Sequence, residues 1–187
     1  MKDRIRLNLS FDADRLQKDL ARLQGSDWIA HFVMQNYEGD WSVIPLRGPA
    51  GATHPVMMSY SDPTCTEFTD TPFLADAPNI RNVLNTFGCP LQAVRVMKLG
   101  PGGRIKEHTD HDLDAESGTA RLHIPIVTND DVKFILNGTR IVMNEGECWY
   151  LRLCDPHSVE NNGRSDRVHL VIDAVVNSWL LNELYAE

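Results

Sequence analysis

The chain has 187 residues, with 18 Lys and Arg against 26 Asp and Glu for a formal net charge of -8. That length suffices for one domain with a sizeable core. The acidic balance argues against a nucleic-acid or anionic-membrane partner, both of which need a basic face. A small anionic ligand remains compatible, because a pocket can be locally basic inside an acidic protein. No apolar run approaches a membrane span, and MKDRIRLNLSFD lacks the apolar core of a signal peptide, so a cytoplasmic location is expected. Cys65, Cys89, Cys148 and Cys154 show no CxxC spacing and read as reduced thiols, without a disulfide framework or zinc finger.

Residues 5–9 alternate as a short strand, and Asp12 then caps a helical pattern with Leu16, Leu20 and Leu23 on one face. Residues 28–37 carry no clear signal. Residues 41–46 (WSVIPL) predict a strand, which Pro45 makes an edge strand or a broken one. Residues 48–72 are rich in Gly, Pro, Thr and Ser and predict a long loop with one strand around 56–60. A short helix is expected over 79–87, closed by Gly88.

From residue 91 onward strands separated by turns dominate. Residues 94–99, the turn Pro101-Gly102-Gly103 and residues 105–108 come first. Residues 119–127 alternate, with Leu122, Ile124 and Ile126 on one face and Arg121 and His123 on the other. Residues 133–136 and 139–143 flank Asn137-Gly138, a strong hairpin signal. Residues 148–153 follow a turn at Gly146. Residues 167–176 set Arg167, His169 and Asp173 opposite Val168, Leu170 and Ile172, and a helix over 178–185 closes the chain. About eight short antiparallel strands at this spacing predict a mostly β fold with flanking helices, a sandwich or jelly roll.

The chemistry concentrates in RIKEHTDHDLDAESGTARLH, residues 104–123, and in CDPHSVENNG, residues 154–163. His108 and Asp110 are two apart and point to one side of an extended strand end. With His157 they make a facial set of two imidazoles and a carboxylate, which leaves half of an octahedron open and suits non-haem iron(II). Arg167, ten residues after His157, offers a bidentate fork to the far carboxylate of a dicarboxylate cosubstrate. A lone histidine is more often a hydrogen-bonded core residue. Polar residues on three inner strand faces at once argue for a pocket. The Asp-rich run does not make a calcium loop, since Ala115 stands where a glycine is needed and Arg121 where a bidentate Glu is needed. His111, Asp112, Asp114 and Glu116 read as a solvated loop. His31 and His54 fit no pattern.

Five stretches in combination, YEGDWSVIPLRG (37–48), VRVMKLGPGGRIKEHTD (94–110), RLHIPIVTN (121–129), NEGECWYLRLCDPHSVENNG (144–163) and DRVHLVIDAVV (166–176), resemble the aspartyl/asparaginyl β-hydroxylase-like group of iron(II)/2-oxoglutarate-dependent oxygenases, which includes bacterial free-amino-acid hydroxylases. The resemblance implies a double-stranded β-helix (jelly roll, cupin-like) in one oxygenase domain, residues 1–187. Residues 1–90 would be helical and loop support, 91–176 the core with the metal site, and 177–187 a terminal helix. It implies His108, Asp110 and His157 as Fe(II) ligands, Arg167 on the distal carboxylate of 2-oxoglutarate, and His123 with Arg121 near the cosubstrate or substrate carboxylate. It implies that O2 and 2-oxoglutarate are consumed, giving succinate and CO2 as a C–H bond is hydroxylated.

The animal members that hydroxylate Asp or Asn side chains of secreted domains lack the carboxylate ligand, whereas Asp110 is present here. That favours a free amino acid or a small amino-acid-like substrate, with Arg95 and Arg47 to hold its carboxylate. The alternatives are a peptide or protein Asp/Asn hydroxylase, a non-redox cupin-type metal enzyme, which has no use for Arg167, and a sensor module that has lost activity. The oligomeric state is left open, a homodimer included.

Overall fold

A computed structural model describes residues 2–23, 28–60 and 65–186. The elements run β1 (Arg4–Ser10), α1 (Ala13–Arg22), β2 (Ile29–Ala30), β3 (Tyr37–Glu38), β4 (Trp41–Pro49), α2 (Pro55–Ser59), β5 (Phe68–Asp70), α3 (Pro78–Leu84), β6 (Leu91–Leu99) and β7 (Arg104–His108). They continue as β8 (Thr119–Val127), β9 (Val132–Leu136), β10 (Thr139–Ile141), β11 (Glu147–Leu151), β12 (His157–Asn161), β13 (Arg167–Val175) and α4 (Ser178–Tyr185), with 3-10 turns at Met34–Asn36 and Pro72–Asp76. Among the described residues no helix is long and apolar enough to cross a membrane.

The strands form two antiparallel sheets. The larger has the order β1-β11-β8-β13-β6-β4-β2, with β5 also on β4, and the smaller β10-β9-β12-β7-β3. Strand alternation decides which face each residue serves. On β8, Leu122, Ile124 and Ile126 are fully buried with Leu170 and Ile172 of β13 beneath α1, α3 and α4. The intervening residues of the same strands face the smaller sheet, where Leu99, Ile105, Phe134, Leu151 and Val159 form a second core. One sheet is thus covered by helices on its outer face and by the other sheet on its inner face, the jelly-roll architecture.

The helices are pinned by specific caps. Asp12 accepts from Arg15 N at 3.1 Å to start α1, and Asn177 accepts from Leu180 N at 3.0 Å to start α4. Asp19 of α1 is fully buried. It caps α3 from outside, taking Ile80 N at 2.8 Å and Asn79 Nδ2 at 2.7 Å, so the two helices are docked through a hydrogen-bonded carboxylate.

Several expectations are corrected. Residues 56–60 are not a strand. Pro55 opens α2 at a position where a missing N–H costs nothing, and His54 caps it by accepting from Val56 N. Residues 61–64 of the expected long loop lie outside the described residues. Pro45 sits inside β4 rather than ending it, because the register with β6 shifts between Pro45 and Arg47 and Thr71 supplies the outer partner, donating its hydroxyl to Pro45 O at 2.6 Å. Residues 157–161 form a strand that the polar segment HSVEN did not announce. Asp114 is not solvated. It is buried and accepts from Ser117 N and Ser117 Oγ, both at 2.7 Å, holding the loop that leads into β8.

Candidate metal centre

β7 and β12 pair so that His108 stands directly opposite His157. Two features fix that register. At the far end, Gly102, whose φ of 73° favours glycine, donates its N–H to Asn161 O at 2.8 Å, and Asn161 N returns to Gly103 O at 2.9 Å. In between, the register slips, with Val159 opposite Ile105 instead of Lys106. This bulge reconciles two residues three apart, since Ile105 packs into the inter-sheet core and His108 also faces inward. Just beyond β7, Asp110 N donates to Leu153 O at 2.8 Å, which anchors the carboxylate beside the imidazoles.

The two histidine rings lie 4.2 Å apart between centroids, and His108 Nε2 is 3.6 Å from Asp110 Oδ1. One ligand atom from each of His108, Asp110 and His157 fits within 4.8 Å of the others. The tautomers are set by the backbone. His108 Nδ1 is 2.7 Å from Lys106 O and His157 Nδ1 is 3.0 Å from Asp155 O. A carbonyl only accepts, so both Nδ1 atoms carry hydrogen and both Nε2 lone pairs are left for an ion. Burial, followed by the charge of His108, lowers the pKa of His157 and keeps it in the neutral form that ligates. Asp110 gives its other oxygen to Arg121 Nη1 at 2.7 Å, which leaves Oδ1 for the metal.

The triad lines a cavity of about 560 Å³ between the sheets, shared with Arg95, Arg121, His123 and Arg167. Asp173 organises two of these arginines. It takes Arg121 Nε at 2.6 Å and Nη2 at 2.9 Å, and Arg95 Nη1 at 3.1 Å. Burial alone would raise the Asp173 carboxyl, but Arg121 and then Arg95 overcome it and hold the group well below the usual carboxylate range. Arg95 Nε also donates to Ser59 O at 2.7 Å, tying α2 to the cavity wall.

Arg167 is different. It is 3% exposed, and among the described residues its side chain bonds from Nη2 to His169 Nδ1 at 2.9 Å while Nε has no partner. Burial pushes its pKa down to about 9. A desolvated guanidinium with no carboxylate is costly in isolation. Both ring nitrogens of His123 are likewise buried and unpartnered among the described residues. These orphaned donors flank Phe134, whose ring lies 5.8 Å from the Arg167 guanidinium carbon and 6.3 Å from the parallel ring of His157. The site is built for an anionic ligand next to an ion.

Arg47 is not brought into the cavity. In unbroken register it would oppose Ala93, which lines the cavity. The slip after Pro45 sets it against Val94, buried on the helix-covered side. There it holds Asp70 at 2.7 Å, Phe68 O at 2.7 Å and Leu91 O at 3.0 Å. Asp173 and His31 also line the cavity, and the sequence assigns neither of them a role there. Asp173 had been placed on the face of Arg167 by alternation alone, and a buried acid on that face implies a basic partner. His31 belongs to a segment without periodicity, and nothing in the chain order foretold that it lines the cavity, stacked 3.5 Å from Trp41 between ring centroids.

The family model for aspartyl/asparaginyl beta-hydroxylase matches residues 10–176. The chain belongs to that family. An L-proline cis-4-hydroxylase of Rhizobium meliloti (strain 1021) is 25% identical over 169 residues, which cover 88% of this chain and 58% of that protein. The chain therefore spans rather more than half the length of this curated relative. Among solved structures, a Pseudomonas putida prolyl-4-hydroxylase aligns at a TM-score of 0.54 with 13% identity, covering 94% of each chain. A 2OG-Fe(II) oxygenase family oxidoreductase from Burkholderia pseudomallei aligns at 0.51 with 16% identity, covering 87% of this chain and 77% of that one. At these identities the likeness is one of fold, and it agrees with the jelly roll read from the two sheets.

The buried histidines make acid stability a direct readout of the site. Burial, then Arg95 and Arg121, lower the His31 pKa from 6.5 to about 4, and burial with Arg167 drives His169 well below its ordinary value. The unfolded chain takes these protons near pH 6.5 and the folded chain does not, so the unfolded state binds more protons in that window and stability falls as pH is lowered through it. In the metal-free protein the urea midpoint should drop between pH 7 and pH 5, above the range where carboxylates titrate. A flat or rising midpoint would refute the buried neutral assignment.

Proposed function

We propose that the chain is an iron(II)- and 2-oxoglutarate-dependent oxygenase that hydroxylates an unactivated C–H bond of a free amino acid or small amino-acid-like substrate. The observation that carries this reading is one cavity holding both the His108, Asp110 and His157 set and a buried Arg167 with no carboxylate partner among the described residues. With Fe(II), 2-oxoglutarate and O2 bound, such a centre supplies the oxidant for hydroxylation and yields succinate and CO2. His108, Asp110 and His157 hold the ion, and the Lys106 and Asp155 carbonyls keep the imidazoles turned toward it. Arg121 donates to Oδ2 of Asp110, so Oδ1 would remain to hold the ion. Arg167 forks the distal carboxylate of the cosubstrate, and His123 supplies a hydrogen bond beside it. Arg95 and Arg121, fixed by Asp173, provide the positive wall toward which the substrate carboxylate turns.

A free-amino-acid substrate goes with a cytoplasmic location. The test is an anaerobic titration of the metal-free protein with Fe(II) and then 2-oxoglutarate, followed by optical spectroscopy. A visible charge-transfer band is expected, and after admission of O2 succinate should form with 1:1 incorporation of hydroxyl into the amino acid that is turned over. No band at saturating Fe(II) and 2-oxoglutarate would overturn the proposal.

A further inference from the structure

The walls of the cavity are chemically unlike. Its basic groups, Arg95, Arg121 and Arg167, all come from β6, β8 and β13 of the larger sheet. The side formed by residues 31–33, Trp41 and Tyr60 carries rings instead. His31 is sandwiched, with Trp41 at 3.5 Å and 9° on one side and Phe32 at 4.8 Å and 15° on the other. Tyr60, which follows α2, packs on Phe32 at 5.4 Å. His31 behaves as a third aromatic surface here, because burial and the two arginines hold it neutral at physiological pH.

These rings are not spent on the core. Phe32 is 39% exposed and Tyr60 is 43% exposed, although both line the cavity. Paired exposed aromatics at the edge of a polar site mark a surface that a ligand covers. The volume points the same way. A cavity of about 560 Å³ falls in the range of sites that enclose drug-sized molecules, roughly 300–1,000 Å³. The cosubstrate takes part of that space, and the remainder admits a side chain larger than that of proline.

Resting on the oxygenase reading, we infer that the substrate is amphipathic: its carboxylate head lies toward Arg95 and Arg121, and a large aromatic or aliphatic side chain lies across Phe32 and Tyr60. Phe32 and Tyr60 are then specificity-determining residues, which select for size and apolarity at a distance from the ion. The ring of Phe32 serves the side chain, and its support by His31 and Trp41 keeps it from turning into the cavity. Tyr60 contributes its ring, so its hydroxyl is dispensable.

The experiment is anaerobic calorimetry on the full chain loaded with Fe(II) and 2-oxoglutarate, titrated with L-alanine, L-proline, L-leucine and L-phenylalanine. These four share one head group and differ in apolar bulk. Kd should fall at least about tenfold from proline to the better of the two large residues, a discrimination of the size that hydrophobic pockets give. Phe32→Ala and Tyr60→Ala should each erase most of that gain while Tyr60→Phe retains it. A flat series, an order favouring alanine or proline, absence of binding by all four, or a gain that survives both alanine variants would overturn the inference. Because the charge-transfer band is recorded on the same samples before substrate is added, its presence together with a flat series sinks this inference alone, whereas its absence sinks the oxygenase reading beneath it.

Discussion

His157→Ala should abolish metal binding and turnover together while leaving the protein folded. In the proposed set the imidazole is one of three ligands, and Phe134, whose ring lies parallel to it at 6.3 Å, has no donor atom to replace it. Loss of a mere hydrogen-bond partner of a ligand typically costs about 10–100-fold in metal affinity, so loss of the ligand itself should exceed that range. β12 should survive the change, since its backbone pairs with both β7 and β9. Equilibrium dialysis against Fe(II), succinate assay and circular dichroism together test this. Succinate formation at the parental rate in a folded His157→Ala protein would remove the residue from the ligand set.

Arg167→Ala should act on the cosubstrate rather than the metal. Removing one partner of a buried, hydrogen-bonded charge pair costs about 2–5 kcal/mol, which is roughly 30- to 5,000-fold in affinity. The increase should appear in KM for 2-oxoglutarate, with Fe(II) affinity retained because Arg167 does not touch the triad. Ligand-free stability should change little, as two terms oppose. The variant loses a desolvated cation whose pKa is pushed down to about 9, and it leaves His169 Nδ1 without its donor. Arg167→Lys should fall between, since an ammonium keeps the charge but not the planar fork. An unchanged 2-oxoglutarate requirement in Arg167→Ala would disprove the assignment.

These residues could be picked out of the chain because strands write their inner face into alternate positions. Arg121 and His123 on β8, and Arg167, His169 and Asp173 on β13, interrupt apolar runs at that period, and the folded sheet sets their faces toward the cavity side. The spacing of His108 and Asp110 carried the same information at the end of β7. The hairpin at Asn137-Gly138 forms with both residues at positive φ, as its turn chemistry demands.

What was illegible has physical reasons of its own. The strands β2, β3 and β5, of two or three residues each, are too short to show any period, and none of the three is announced by the sequence. β12 alternates but with Ser158 and Glu160 between its buried residues, and so reads as polar loop. α2 is only five residues, PVMMS, too short to show a helical period, and it is made helical by Pro55 and a histidine cap. Arg47 faces away because a bulge inverts facing, and Pro45 marks a break in the strand without showing which way the residues after it turn. His31 reaches the cavity through a stack of rings contributed by a short irregular segment, for which periodicity has no vocabulary.

The extra residue in β7 has one more consequence. Ile105 is clamped into the hydrophobic interior and Asp110 is tethered by its own amide to Leu153, so the stretch between them is a span with both ends fixed. Deleting Lys106 or Glu107 would leave Ile105 and the His108 imidazole two residues apart, where plain alternation turns both inward without a bulge and keeps that imidazole opposite His157 in unbroken register. The centre should thus tolerate the loss of one amino acid between its anchors, whereas the chain at its present length needs the bulge to turn the ligand inward.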